Sequence, residues 1–131
     1  MFKVGQRVWF NYNKWFGKIQ GKLPKIHGEQ VYLVEFAETL KHQKISEQDL
    51  HQTADDMFEA LGYEKKLEDS SYIIYESFSF EEGISTEVRI DKNNKRHKIS
   101  NYTRNNNIFP AYVVIEKHLA IHQKLIELGW L

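Results

Sequence analysis

The segment Gln30–Phe36 alternates between two faces, and this alternation limits the fold more than any other feature of the chain. Successive side chains of a β-strand point to opposite faces, so Val31 and Leu33 would share one face and Tyr32 and Val34 the other. Other segments rich in valine, isoleucine and aromatic residues, bounded by turn residues, also favour strands. We predict strands at Arg7–Tyr12, Phe16–Leu23 and Lys41–Ile45, and a helical turn at Ser46–Leu50 with Ser46 as its cap.

Glycine and proline modify the second of these strands. Gly17 and Gly21 would weaken or bend it. Pro24 is predicted to end it, because proline has no backbone N–H to donate to a neighbouring strand.

The first half consists of short segments with strand character that follow one another along the chain, namely VGQRVWF, WFGKIQGKL, VYLVEF and KISEQDL. The first strand follows a turn of the form x-G-x-x-V, and a helical turn comes near the end. This arrangement resembles a small SH3-like or Tudor-like barrel over residues 2–52. The resemblance implies an all-β barrel domain at residues 1–52, and such a fold does not by itself fix a function.

The second half begins with a short helix and ends with a long one. Thr53 can cap Ala54–Leu61, with Asp55 in the first turn favouring the helix dipole. The remaining predicted elements are strands at Tyr63–Leu67, Tyr72–Phe78, Ile84–Ile90 and Arg96–Tyr102, a hairpin turn at Asp91–Asn94 and a helix at Val114–Leu128. The closing helix carries one apolar stripe at Ile115, Leu119 and Ile126 and an adjoining one at Ile121, Leu125 and Leu128. We therefore predict an α+β domain at residues 53–131, with an antiparallel sheet packed on the carboxy-terminal helix.

The segments DMFEALGYEKKLED, YIIYE and IHQKLIELGWL frame a charged hairpin within residues 54–131. This frame resembles a domain of small uncharacterised proteins from phages and mobile elements of Gram-positive bacteria. The resemblance implies a cytoplasmic accessory or host-takeover protein and implies no catalytic residues.

Several chemistries are excluded or disfavoured by composition. The chain has no cysteine, which excludes disulfides, thiolate metal sites and a cysteine nucleophile. Residues 1–5 lack the apolar run of a signal peptide, and no stretch approaches the roughly 18 apolar residues that span a bilayer. We therefore expect a soluble, cytoplasmic protein without a membrane partner.

Catalytic motifs are also missing from the sequence. The seven glycines are scattered and form no phosphate-binding loop, and the acidic residues show no spacing that picks out an acid–base pair. His118 and His122 lie four residues apart, a spacing that can chelate a metal if His97 or a carboxylate adds a third ligand. The same pair could equally lie at the edge of the helix's apolar face. We predict a non-enzymatic protein with no cofactor and no metal site, with a metal-dependent hydrolase as an alternative.

Charge is distributed in three blocks. Residues 1–28 carry six basic and no acidic side chains, residues 29–91 carry five basic and sixteen acidic, and residues 92–131 carry seven basic and two acidic. The net charges are therefore +6, −11 and +5, and asymmetry of this kind bears on partners.

Two basic clusters are candidates for nucleic-acid binding, which needs cations for phosphates and exposed rings for bases. The first consists of Arg7, Lys14, Trp15, Lys18, Lys22 and Lys25. Here Trp9 is expected in the core and Trp15 in an exposed loop; alternatively, the rings fill the barrel and the lysines only keep it soluble. The second cluster, on the predicted hairpin and the loop after it, consists of Lys95, Arg96, Lys98 and Arg104. Its alternative role is to prevent an edge strand from pairing with other chains.

The acidic middle block suggests a different partner. Its candidate contact residues are Glu68, Asp69, Glu76, Glu81, Glu82 and Glu87. An acidic surface can imitate nucleic-acid phosphates and occupy the basic channel of a CRISPR effector; the alternative is that these residues only form a solvated face. The leading hypothesis is a phage-type binding protein that engages a host nucleic-acid-handling protein or complex, such as an anti-CRISPR or other anti-defence inhibitor. The second hypothesis is an accessory protein that binds DNA or RNA directly.

Overall fold

The fold is taken from a computed structural model, which describes residues 1–79, 81–103, 105, 107–110 and 114–131. These residues form two five-stranded antiparallel sheets, two α-helices and one 3-10 helix. The predicted α+β class is therefore confirmed. The chain divides into two compact units, unit 1 at Met1–Asp56 and unit 2 at Met57–Leu131.

Unit 1 is built around the first sheet. Its elements are β1 (Arg7–Phe10), β2 (Trp15–Ile26), β3 (Glu29–Phe36), β4 (His42–Ser46), the 3-10 helix (Glu47–Asp49) and β5 (Leu50–Gln52). The strand order is β4-β3-β2-β1-β5, and every pair is antiparallel. Among the described residues the sheet is open, with β4 and β5 as its edges, so a closed SH3-like barrel stays a prediction.

The alternation of Gln30–Phe36 is confirmed by the core of unit 1. Tyr32, Val34 and Phe36 on one face of β3 are all fully buried. Their partners in the core cluster are Val8, Phe10, Ile19, Ile45 and Leu50. The face of the first sheet turned away from this cluster is called the first outer face below.

Two predictions about where elements of unit 1 end and how they are capped are wrong. Strand β2 does not end at Pro24 but continues to Ile26, because a register irregularity between Leu23 and Ile26 leaves the proline where no backbone donor is needed. The predicted helical turn is present as the 3-10 helix, but Ser46 does not cap it through its side chain. Its hydroxyl instead donates to Glu29 Oε2 at 3.1 Å.

Unit 2 is built around the second sheet. The elements of the second half are α1 (Ala54–Ala60), which begins at the end of unit 1, then β6 (Glu64–Glu68), β7 (Tyr72–Ser79), β8 (Ile84–Asp91), β9 (Arg96–Tyr102), β10 (Ile108–Pro110) and α2 (Ile115–Glu127). The strand order is β10-β9-β8-β7-β6, in which each strand pairs with the next along the chain. The predicted Thr53 cap is confirmed, since its hydroxyl accepts a hydrogen bond from the Asp56 backbone N–H at 3.3 Å.

Both helices pack on one face of the second sheet. Phe58 of α1 stacks on Tyr75 of β7 with ring centroids 3.9 Å apart, and Ala120 and Ile121 of α2 join the same cluster. The cluster is completed by Tyr63, Ile73, Val88 and Ile90. The opposite face of this sheet is called the second outer face below.

The closing helix is confirmed to within a residue at each end, but one of its predicted apolar stripes does not face the core. Ile115 is 74% exposed and Leu119 is 49% exposed, whereas Lys117 and Lys124 are buried. The lysine ammonium groups lie 5.6 Å from the Tyr63 ring centroid and 6.0 Å from that of Tyr75. Cation–π attraction and the apolar lysine stems explain why this side of the helix turns inward.

Candidate nucleic-acid interface

Strand register decides which side chains share the second outer face. Residues opposite each other in neighbouring antiparallel strands lie on the same face, and Ile73, Tyr75, Val88 and Ile90 face the helices. One row across the other face therefore runs Ile74–Arg89–Lys98, and the next runs Tyr72–Asp91–Arg96. Cations from two strands meet beside an aromatic ring at the end of the sheet near the β8–β9 hairpin.

Five of these side chains line a depression of about 500 Å³, here called the basic pocket. It is lined by Tyr72, Arg89, Asp91, Arg96, His97 and Lys98. The lining carries two guanidinium groups and one ammonium group against one carboxylate. The pocket therefore concentrates positive charge within a chain of zero net charge.

The carboxylate of Asp91 holds the hairpin that forms one side of the pocket. It accepts hydrogen bonds from the backbone N–H groups of Asn93 and Asn94, both at 3.1 Å, and from Asn94 Nδ2 at 2.8 Å. Arg96 Nε also donates to it at 3.2 Å. The Asn94 side chain and then the other donors lower the pKa of Asp91, although burial opposes the shift. Asp91 is thus committed to the turn, while the Arg96 side chain remains 74% exposed.

Arg89 is oriented by two neighbours. Its Nε donates to Glu87 Oε1 at 3.0 Å, and its guanidinium carbon lies 5.6 Å from the Tyr72 ring centroid. The Tyr72 side chain is 37% exposed. A cation and a ring held side by side can contact a phosphate and a base of the same strand.

The middle of the second outer face is acidic. Glu76 stands opposite Glu87 across β7 and β8, and Glu64 stands opposite Glu76 across β6 and β7. Like charges in one row repel phosphates as well as one another. The acidic row therefore disfavours a phosphate in the middle of this face.

The hairpin cluster predicted from the sequence is brought together in part. Arg96 and Lys98 line the basic pocket. Lys95 lies in the hairpin turn with a φ of 52° and an exposed side chain. Arg104 lies outside the described residues.

Three residues that line the pocket are not among the nucleic-acid candidates predicted from the sequence, namely Tyr72, Arg89 and His97. Arg89 was counted only within the acidic block, and His97 only as a potential metal ligand. The signal that could have found Arg89 is the hairpin itself, because counting outward from a turn at residues 92–95 pairs Arg89 with Lys98.

The basic cluster of unit 1 does not form one surface. Arg7 and Lys18 stand opposite each other on the first outer face, whereas Lys22 stands opposite Tyr32 and so belongs to the other face of β2. Lys14 lies in the β1–β2 turn, and Lys25 lies in the irregular part of β2. A bulge between Ile19 and Gly21 causes the change of face, because one extra residue reverses the alternation.

The expected exposure of Trp15 is wrong. Trp15 is the first residue of β2 and packs against the core of unit 1, with its ring centroid 5.6 Å from that of Phe36. Trp9 is buried, as expected, at 2% exposure, but it lies on the first outer face and outside the core cluster of unit 1. The exposed rings of this hairpin are instead Phe16 at 44% and Tyr12 at 76%.

The acidic residues predicted to bind a partner are spread along unit 2. Asp69 accepts hydrogen bonds from the backbone N–H groups of Ser71 and Tyr72, both at 2.8 Å, and the bond from Tyr72 and then that from Ser71 lower its pKa. Glu68 pairs with Lys65 at 2.5 Å. Glu81 and Glu82 lie exposed in the β7–β8 turn, at the opposite end of the eight-residue strand β7 from Asp69. The separation is about 26 Å.

The histidine pair of α2 is exposed. The ring centroids of His118 and His122 are 6.3 Å apart. Within the described part of the chain, no three histidine or acidic side chains are grouped so that they could hold a metal ion.

The described helices are also too short or too polar to cross a membrane. Comparison of this chain with protein-family models, with curated proteins and with solved structures found no match.

Proposed function

We propose that this protein binds single-stranded nucleic acid without catalysing a reaction, and that the basic pocket is its main contact. The observation that carries the proposal is the register that aligns Arg89 with Lys98 and sets Tyr72 and Arg96 beside them. The two helices lie on the other face of the sheet, which leaves the pocket open to a ligand.

The chemistry of the pocket favours a single strand over a duplex. An exposed ring can stack only on a base whose face is open, and in a duplex the neighbouring base pairs cover that face. The three cations can contact two or three phosphates. For single strands the logarithm of the association constant falls with the logarithm of salt concentration by about 0.7 per phosphate, which gives a slope of about −1.4 to −2.1.

The acidic residues support nucleic-acid mimicry less well. Asp69 is bonded within its own turn, and Glu68 pairs with Lys65. A phage origin, a host protein partner and an anti-CRISPR role stay predictions from the sequence, since no comparison bears on them.

We also propose that unit 1 is a small SH3-like barrel. Two features support it: β5 pairs with β1 rather than with β4, and the 3-10 helix lies directly before β5. A sheet with this order can curl until its edges approach, helped by the irregularities of β2.

The function is tested by fluorescence anisotropy with labelled single- and double-stranded DNA and RNA at about 50 and 200 mM salt, the range in which phosphate contacts change affinity most visibly. Lys98→Ala should weaken binding of single strands and reduce the size of the salt slope by about 0.7. Tyr72→Ala should cost about 1–3 kcal/mol of binding free energy through lost stacking.

Lys66→Ala is the matched control. Lys66 lies in β6, an edge strand of the same sheet that is three positions from the strand of Lys98, and its ammonium group contacts Glu64 at 3.1 Å. Its removal changes the net charge by the same amount as Lys98→Ala but should leave affinity unchanged. Absence of binding at low salt, or equal losses from both lysine variants, contradicts the proposal.

A further inference from the structure

One aromatic ring of unit 1 is exposed although its position is fixed. Phe16 stands opposite Trp9 in the β1–β2 pair, on the first outer face. The two ring centroids are 4.8 Å apart at an interplanar angle of 65°, and Trp9 Nε1 donates a hydrogen bond to Asn11 Oδ1 at 3.2 Å. Trp9 is buried, but Phe16 leaves 44% of its surface open. A ring held in this way loses little freedom when a ligand covers it.

Cations flank this ring on the same face. Lys18 is two residues further along β2, about 7 Å away, and its side chain is exposed. Arg7 stands opposite Lys18, and its Nη2 lies 2.6 Å from Asp56 Oδ1. On the other side of Lys18 stands Glu35, whose Oε2 lies 2.9 Å from His42 Nε2.

We propose that Phe16 and Lys18 form a second nucleic-acid contact, in which Phe16 stacks on one base and Lys18 meets the adjoining phosphate. A single exposed ring beside cations fits a planar ligand that carries negative charge. Lys18 and Arg7 supply the positive charge next to the ring, and Arg7 is held in place by its ion pair with Asp56. This contact is separate from the basic pocket and does not depend on it.

The test uses paired variants and a labelled deoxythymidine oligonucleotide of about ten residues, within the site sizes of small single-strand-binding folds. Phe16→Leu keeps an apolar cover over Trp9 but removes the planar ring. Lys18→Ala removes the adjacent cation. The controls are Tyr12→Leu, an exposed ring in the turn of the same hairpin, and Lys22→Ala, the same charge change on the other face of β2.

Phe16→Leu and Lys18→Ala should each weaken binding about fivefold or more, the low end of what one stacked base contributes, whereas both controls should bind like the original protein. Circular dichroism melting confirms that each variant is folded, and Lys18→Ala carries the test if Phe16→Leu is not. Unchanged affinity of the folded variants, or equal losses from the controls, overturns the inference.

A pocket-deficient protein, Arg89→Ala with Lys98→Ala, separates this inference from the proposed function. Residual binding that Phe16→Leu abolishes supports the contact on unit 1. Unchanged binding by the pocket-deficient protein refutes the basic pocket alone and leaves the Phe16 contact standing. Complete loss of binding in the pocket-deficient protein shows that the Phe16 contact has no affinity of its own and overturns the inference.

Discussion

Gly17→Ala should destabilise unit 1, although alanine is the better residue in most strands. A Cβ atom at position 17 would lie 2.6 Å from Val34 Cγ1 and 3.1 Å from Phe36 Cδ1. Carbon atoms in ordinary contact are about 3.5–4.0 Å apart, so Val34 would have to move by about 1 Å. Both neighbours are fully buried and therefore cannot move into solvent.

The size of the effect follows from two opposing contributions. Inserting a methyl group into a packed core costs about 1–3 kcal/mol. Replacing a strand glycine by alanine recovers about 0.5–1 kcal/mol of conformational entropy. With the middle of each range, the expected net loss is about 1.2 kcal/mol of the free energy of unfolding. Gly21→Ala is the matched control in the same strand, because no heavy atom lies within 4 Å of its added Cβ; this variant should be neutral or stabilising by up to about 1 kcal/mol.

Urea denaturation followed by tryptophan fluorescence measures these changes. Trp130 packs against the core of unit 2, so the measurement is made in a Trp130→Phe background, where only Trp9 and Trp15 of unit 1 emit. Val34→Ala removes the crowded methyl group and should lessen the cost of Gly17→Ala. The double variant should therefore lose less free energy of unfolding than the sum of the losses of the two single variants. Additive losses, or a Gly17→Ala protein as stable as Gly21→Ala, would refute the close-packing argument.

Two further predictions concern unit 2. The pKa of Asp91 is lowered in the folded state, so the stability that it contributes is present above its unfolded pKa of about 3.9 and is lost as pH falls through the lower folded value. The melting temperature of Asp91→Asn should therefore be lower than that of the original protein near neutral pH, and it should fall less steeply on acidification below about pH 4. Melting temperatures of the two proteins that fall in parallel below about pH 4 would contradict this. Lys124 Nζ lies 3.3 Å from Glu127 Oε1, and the two side chains are 7% and 3% exposed. Glu127→Gln leaves the lysine charge buried without its partner and should therefore cost about 3–5 kcal/mol of the free energy of unfolding, measured by chemical denaturation. The double variant Lys124→Met with Glu127→Leu removes both charges and should cost less; equal losses would show that the buried charge is not the cause.

Local patterns in the sequence were sufficient to predict most elements of the fold. The alternation of Gln30–Phe36 identified β3 and its buried face, and Thr53 identified the start of α1. Pro24 misled because its effect depends on whether the neighbouring strand needs its N–H, which sequence alone does not reveal. The orientation of α2 could not be predicted either, since lysine is usually exposed and the burial of Lys117 depends on Tyr63.

The candidate site was only partly predictable, because strand register decides which side chains lie on the same face of the sheet. Arg96 and Lys98 were identified from their position on a hairpin, but the contribution of Arg89 depends on which residues stand opposite each other. The bulge in β2 had the reverse effect, because it separated Lys22 from Lys18 although both belong to one basic segment. A shift of one residue is enough to change a face, and composition is insensitive to it.

The two strand orders have different consequences for the kinetics of folding. In the second sheet every strand pairs with its neighbour along the chain, so each pairing closes a short loop and the sheet can grow one hairpin at a time. In the first sheet Phe10 pairs with Leu50, and this contact closes a loop of about forty residues, whose entropic cost precedes any gain from the contact. During synthesis the pairing of β1 with β5 has to wait until β5 leaves the ribosome, while β1, β2, β3 and β4 can already pair with one another. We expect the pairing of β1 with β5 to be the late step in the folding of unit 1, and the meander of unit 2 to form without a comparable delay.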